Sequence, residues 1–312
     1  MLAVRRVQWE ALRQWSRHSY RAYTNNHAGV VWQRTLSGVS VFRMEVPQCR
    51  VESSESRELT IRIADGDHGE PVVRLNQKNN VASLALECSG HSTRCSVSLP
   101  SNTSLDVLGR DISLDGLLLD QCRLSGETVT FSNVKLAKTL SVEAAQVTCR
   151  GVLQSGDIRL QTQKLLAERI LVSRTLEVSA SEVRVNAVYT DSLLLDCQGL
   201  VDLGTVHGYG TLTTGDIRVG SIEGNFDVIT TSGKVSLLVA RTDKLTVRTT
   251  TGDVCLYFLT PYSTYAQGHT VYRHEDIPNG TDNDATVRVF SQGGKVYLAK
   301  QDWATHIVGR QA

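Results

Sequence analysis

The sequence predicts an all-β chain wound as a parallel β-solenoid of about 18 residues per coil, closed by small β caps at both ends. Three observations predict it. An apolar residue returns at Ile112, Val129, Val147, Leu165, Val183, Leu200, Ile217, Val235 and Val254, in steps of 17 to 19 residues. A second apolar column runs two residues later, through Leu114, Phe131, Cys149, Ala167, Val185, Val219, Leu237 and Leu256. Positions 101–260 contain no proline, as continuous strand pairing requires, because proline removes a ladder donor.

The elements follow in order. Residues 1–28 carry five arginines against the single acid Glu10. Wound as a helix, they place Val4, Val7, Ala11 and Trp15 on one face and Arg6, Arg13 and Arg17 on the other. An arginine-rich, acid-poor amphipathic segment has the composition of a mitochondrial transit peptide. The run Arg21-Ala22-Tyr23-Thr24 is similar to a matrix-protease cleavage context, so the matrix is the expected location. Residues 29–100 are expected to form an N-terminal β cap of antiparallel strands, at Val39–Val46, Leu59–Ala64, Val81–Cys88 and Cys95–Leu99. The solenoid occupies 101–258, and 259–312 form a C-terminal cap with the polar loop 278–284.

Within the solenoid, the best-formed coils are Leu212-Thr-Thr-Gly-Asp-Ile217, Ile229-Thr-Thr-Ser-Gly-Lys-Val235 and Val247-Arg-Thr-Thr-Thr-Gly-Asp-Val254. Alternation turns every second side chain inward, and β-branched Thr and Val suit a pleated wall. Gly215, Gly233 and Gly252 stand two residues before their anchors, where a corner calling for positive φ is expected. At roughly 4.8 Å per coil, eight steps make a rod on the order of 40 Å. Its open ends need covering, which is the expected task of the caps.

Composition narrows the function classes. Of the 312 residues, 41% are apolar and 21% charged, with a formal charge of +1. A near-neutral body lacks the basic footprint of a nucleic-acid binder, and no apolar run reaches the ~18 residues of a membrane span. Seven cysteines, an odd number without C-x-x-C spacing, fit a reducing compartment better than a disulfide framework. Cys88 and Cys95 are read as hairpin thiols. With His91 they leave a zinc site one ligand short.

Asp216 and Asp253 precede their anchors by one residue, as do Asp111 and Glu182. A carbohydrate-cleaving β-helix uses such outer carboxylates as acid and base. The same column carries Lys164 and Lys234, so stacked coils would alternate in charge, and a salt-bridged ladder is the preferred reading. His207 beside Gly208 is read as a structural hydrogen-bonding residue, and Gly208-Tyr209-Gly210 as corner glycines rather than a phosphate loop. The loop acids Glu275, Asp276, Asp282 and Asp284 lack calcium-loop spacing.

The TTGD, TTSG and TTTGD coils resemble the putative-adhesin family of β-helix proteins. Leu203-Gly204-Thr205-Val206-His207-Gly208 and Ile222-Glu223-Gly224-Asn225-Phe226 look like its animal branch, known only by a "family with sequence similarity" label. The resemblance is good over 195–258 and extends from 100 onward. It implies a single-stranded right-handed parallel β-helix and a mitochondrial setting, and brings no reaction or catalytic residue with it. The expectation is therefore a non-catalytic scaffold or protein-interaction module, with no catalytic, cofactor or metal residues assigned. The alternative is a carbohydrate-active enzyme using Asp216 and Asp253. No nucleic acid and no transmembrane segment is expected, and the sequence names neither a protein partner nor an oligomeric state.

Overall fold

The computed structural model describes residues 30–64, 72–87 and 93–301. The amphipathic segment 1–28, together with Cys88 and His91, lies outside the described residues. Among the described residues there are nineteen strands and no helix, and all nineteen belong to one hydrogen-bonded sheet. The N-terminal part holds β1 (Val30–Ser37), β2 (Val41–Glu45), β3 (Gln48–Ser54), β4 (Glu58–Ala64), β5 (Val72–Lys78), β6 (Val81–Glu87) and β7 (Arg94–Pro100). The middle holds β8 (Thr103–Leu108), β9 (Asp111–Asp115) and three long strands, β10 (Leu118–Ser155), β11 (Asp157–Ala180) and β12 (Glu182–Thr230). Then come β13 (Val235–Arg241), β14 (Leu245–Thr249), β15 (Val254–Phe258), β16 (Thr264–Gln267), β17 (Thr270–Arg273), β18 (Val287–Ser291) and β19 (Lys295–Lys300).

The repeat read from the sequence is the register of the sheet. Ile112 pairs with Val129, Val147 with Leu165, Leu165 with Val183, Ile217 with Val235 and Val235 with Val254, all in parallel. Each repeat makes one rung of three straight segments. Residues 139–144, 146–149 and 152–155 pair with 157–162, 164–167 and 169–172. Register shifts, as between Cys149 and Val152, mark corners between segments. Alternation sends both apolar columns inward, and Val129, Phe131, Val147, Val235, Leu237, Val254 and Leu256 are fully buried. Each such side chain contributes about 1.5–3 kcal/mol relative to exposure.

One anchor moves. Leu200 is only half-buried, and Val201 and Leu203 take the interior places of that rung. A strand has a period of two, so pointing Leu200 inward would bring Asp202 into the core with it. The slip by one residue keeps Asp202 outside.

The N-terminal strands also differ from expectation. β4 is antiparallel to β1 and β7, and β5 to β6, but β2 pairs in parallel with β6 and β8, and β3 in parallel with β7 and β9. The parallel ladder therefore continues across residue 100, and the rungs are laid out of chain order. The rung of β2 and β3 lies between that of β6 and β7 and that of β8 and β9. The other end mirrors this. β18 lies between β14 and β16, and β19 between β15 and β17. At both ends the outermost parallel rung belongs to an internal part of the chain, and the rung beneath it comes from nearer the terminus.

The corner glycines are present for a reason other than the expected one. Gly215, Gly233 and Gly252 do not have positive φ. A Cβ at Gly233 would fall on the Gly215 carbonyl, one at Gly252 on the Gly233 carbonyl, and one at Gly294 on the Gly252 carbonyl. Successive rungs there touch backbone to backbone, which leaves no room for any side chain. Gly293, next in sequence, has only ordinary contacts beyond 3.4 Å around the same hypothetical atom. Gly294→Ala should accordingly cost roughly 1–3 kcal/mol, as overpacking does. Gly293→Ala should stay within about 0.5 kcal/mol of the parent. Urea unfolding of the two variants measures the difference, and equal losses would refute the backbone-contact account.

Candidate functional site

The Thr-Gly-Asp corners place the carboxylates that the sequence singled out. Thr214 turns inward, and its buried hydroxyl donates to the carbonyls of Gly199 at 3.1 Å and Asp216 at 3.1 Å. Thr162 does the same with Ala145 (3.0 Å) and Lys164 (3.1 Å), and Ser291 donates to Gly252 (3.3 Å). A second corner repeats the device with Ser155 and Thr190. These hydroxyls add hydrogen bonds to backbone carbonyls where the chain bends. β-branched threonines suit a pleated wall, which is the role their sequence pattern predicts. Their recurrence at coil spacing was the signal for a second role.

Asp216 and Asp253, just past the corner, are exposed, and each directs an oxygen at the next rung. Asp216 Oδ1 accepts the backbone N–H of Lys234 at 2.7 Å, and Asp253 Oδ1 accepts that of Lys295 at 2.8 Å. The expected charge ladder is present between Lys164 Nζ and Glu182 at 3.7 Å, with Arg184 also on Glu182 at 2.8 Å. At Lys234, however, the hydrogen bond to Asp216 comes from the backbone amide. Other corners use the same arrangement. Asn225 Oδ1 accepts the amides of Asp243 and Lys244, Asn133 Oδ1 that of Val152, and Glu168 Oε2 that of Gly151. Side chains one coil apart thus cap amides that have no strand partner.

Asp157 belongs to this group and has a cation as well. Its carboxylate accepts the Thr175 amide at 3.3 Å and a two-pronged bond from Arg174 Nε (3.1 Å) and Nη2 (2.5 Å). The Arg174 hydrogen bond comes first, and with the Thr175 amide it holds the Asp157 carboxyl below the usual carboxylate range. Arg159–Glu177 (2.6 Å) and Lys138–Asp120 (2.9 Å) are further pairs one coil apart.

The remaining candidates are dispersed. His207 is exposed on another segment, with Nδ1 3.4 Å from Glu223 Oε2 and its ring 6.2 Å from that of Tyr189. Those partners stand one coil away on either side, and only the coil spacing could have found them. Gly208 and Gly210 have φ of 143° and 157°, and a Cβ on them would strike the carbonyls of Thr190 and Leu193. They serve close rung approach within β12. Asp276 binds Lys300 at 2.8 Å, and Asp284 accepts the Thr281 hydroxyl at 2.8 Å. Among the described residues no group of three or more His, Cys, Asp or Glu side chains is placed to hold a metal ion. Cys95 stands in register with Cys49 on a parallel neighbour, and both are buried. Burial pushes the Cys149 thiol up to about 12, and it raises Cys49 and Cys122 as well. These thiols are core side chains.

No family model matches the chain, and no curated protein matches it. Among solved structures it is similar to a putative adhesin from Parabacteroides merdae ATCC 43184, at 14% identity over 89% of this chain and 99% of that one, with a TM-score of 0.27. A putative lipid binding protein from Parabacteroides distasonis ATCC 8503 matches at 12% identity over 85% of this chain and 95% of that one, with a TM-score of 0.31. A putative cell adhesion protein from Clostridium sporogenes ATCC 15579 matches at 9% identity over 86% of this chain and 99% of that one, with a TM-score of 0.21. Values this low transfer neither fold nor role, and the functional reading rests on the chain's own residues.

A depressed folded pKa makes the Asp157 contribution complete above the ordinary carboxylate pKa of about 3.9. That contribution is lost as the pH falls through the depressed value. Titration of the side-chain carboxyl by NMR should place the Asp157 midpoint below that of a free aspartate. In Arg174→Ala the midpoint should rise toward it. An unchanged midpoint would show that the arginine is not the main cause.

Proposed function

We propose that the chain is a non-catalytic scaffold: a right-handed parallel β-helix whose stacked rungs hold a fixed outer surface for binding. One observation carries the choice against a glycan-cleaving enzyme. Asp216 and Asp253, the carboxylates such an enzyme would use, each give an oxygen to a backbone amide of the next rung. That is the same task Asn225 performs with a side chain that cannot exchange a proton at working pH. The closed coil is supported by the parallel register of one repeat and by corner shifts between straight segments. The right hand is supported by the general chirality of connections between parallel strands of one sheet. We further propose a mitochondrial matrix location, on the arginine-rich amphipathic composition of residues 1–28.

Asp216→Ala and Asp253→Ala should each lower stability by about 1–2 kcal/mol, the cost of leaving an amide uncapped. The Asn variants, which keep an acceptor oxygen, should lose less. Thermal melts read this, alongside reducing-sugar release from a panel of glycans. Turnover by the parent that disappears in folded Asp216→Asn or Asp253→Asn would establish the enzyme instead. A fluorescent reporter fused behind residues 1–28 should enter mitochondria, and a cytosolic reporter would end the matrix assignment.

A further inference from the structure

The outer surface at the N-terminal end departs from a flat sheet. Two neighbouring rows of outward side chains cross β4, β7, β3, β9 and β10. Strand pairing gives one row as Arg62, Ser96, Arg50, Ser113 and Thr130, and beside it the pair Ala64–Arg94 and the run Gln48, Asp111 and Thr128. Arg62 stands beside the short Ala64 and Arg94 beside the short Ser96, while Ser113, Thr128 and Thr130 keep the far end low. The short ones form the floor of a groove of about 530 Å3, with Cys49, Cys95 and Ile112 beneath. The long ones form its walls, largely with their methylene stems. This volume falls in the ~300–1,000 Å3 range of small-molecule sites.

The charge around the groove is one-sided. Three of its lining residues are arginines, and Asp111 is the single acid. Asp111 is already occupied, accepting Gln48 Nε2 at 3.1 Å and Arg110 Nε at 3.0 Å. Arg50 reaches away from the groove row to Asp115 at 3.4 Å and Glu52 at 3.9 Å. Arg62 and Arg94 have no acidic partner among the described residues. They lie on adjacent antiparallel strands, opposite Ser96 and Ala64 respectively, which makes them diagonal neighbours about 7 Å apart. Several basic side chains further along the sheet are matched one coil away, as at Asp157–Arg174 and Arg159–Glu177. Here two guanidinium forks border a concave, mostly apolar wall with no matching acid among the described residues.

We propose that this groove binds a small organic anion with an apolar body. Arg62 and Arg94 take its carboxylate or phosphate head, and its chain lies over Ala64, Ser96, Ser113 and Thr130. Guanidinium forks bind such heads in a two-pronged geometry that an ammonium group cannot copy. The site stands apart from the Asp216–Asp253 column and does not depend on the scaffold reading.

Isothermal titration calorimetry on the full chain tests it with decanoate and decyl phosphate below their micelle concentrations. Both should bind, with the tighter of the two identifying the head group. Decanol and inorganic phosphate should each bind at least tenfold more weakly, because each lacks one half of the ligand. Arg62→Ala and Arg94→Ala should each weaken decyl binding at least tenfold, and Arg62→Lys should recover only part. Thr130→Trp, which fills the floor and leaves the arginines in place, should abolish it. Melting temperatures of these surface variants check that they remain folded. Several results would overturn the proposal: no binding by either amphiphile, equal binding of decyltrimethylammonium, equal binding of inorganic phosphate, or folded arginine variants with undiminished affinity.

Discussion

Parallel strands stack at a fixed spacing of roughly 4.8 Å, and everything else in this molecule accommodates that distance. On the straight segments the spacing is set by hydrogen bonds between neighbouring rungs. At the corners those bonds run out, yet the rungs still arrive at the same height. Glycines stacked at Gly215, Gly233, Gly252 and Gly294 let backbone meet backbone. Inward hydroxyls of Thr162, Thr214 and Ser291 donate to backbone carbonyls, while outward carboxylates and amides take up stranded N–H groups. One corner thus needs three residue types in succession, and Thr214-Gly215-Asp216 supplies all of them.

The same constraint makes charge on the outer wall a local matter. A residue one coil away is a neighbour, so acids and bases at 17- or 18-residue intervals meet, as Asp157 meets Arg174 and Lys164 meets Glu182. Such exposed pairs add little stability individually, but they place opposite charges on successive rungs. At the N-terminal groove Arg50 has such partners in Asp115 and Glu52, while Arg62 and Arg94 have none among the described residues.

Legibility in the sequence followed the range of the interactions involved. The column from Ile112 to Val254 could be read because burial acts on single residues at regular intervals. Leu200 was misplaced because the interval tolerates a slip that only the position of Asp202 decides. The strands Val41–Glu45 and Val81–Glu87 could be found, but not their parallel pairing. Partner choice there depends on β3, β8 and β9, and no local pattern encodes it. Corner glycines were placed correctly and explained wrongly, since crowding by the preceding rung leaves no mark on the residue's own neighbours in sequence. The groove was invisible because its walls come from Arg50, Arg62 and Arg94, which belong to three strands.

The interleaved rungs at the two ends bear on how the chain is made. β2 and β3 leave the ribosome early, but both of their neighbouring rungs are synthesised later, so the first rung must wait for segments more than 30 residues downstream. At the other end, β16 and β17 are made before β18 and β19, which among the described residues are the parallel strands that join them to the body of the sheet. The outer rung of β16 and β17 therefore takes its place in the parallel ladder only together with β18 and β19. A nascent chain that stops just short of β18 forfeits two rungs, because the outermost one is left with nothing beneath it.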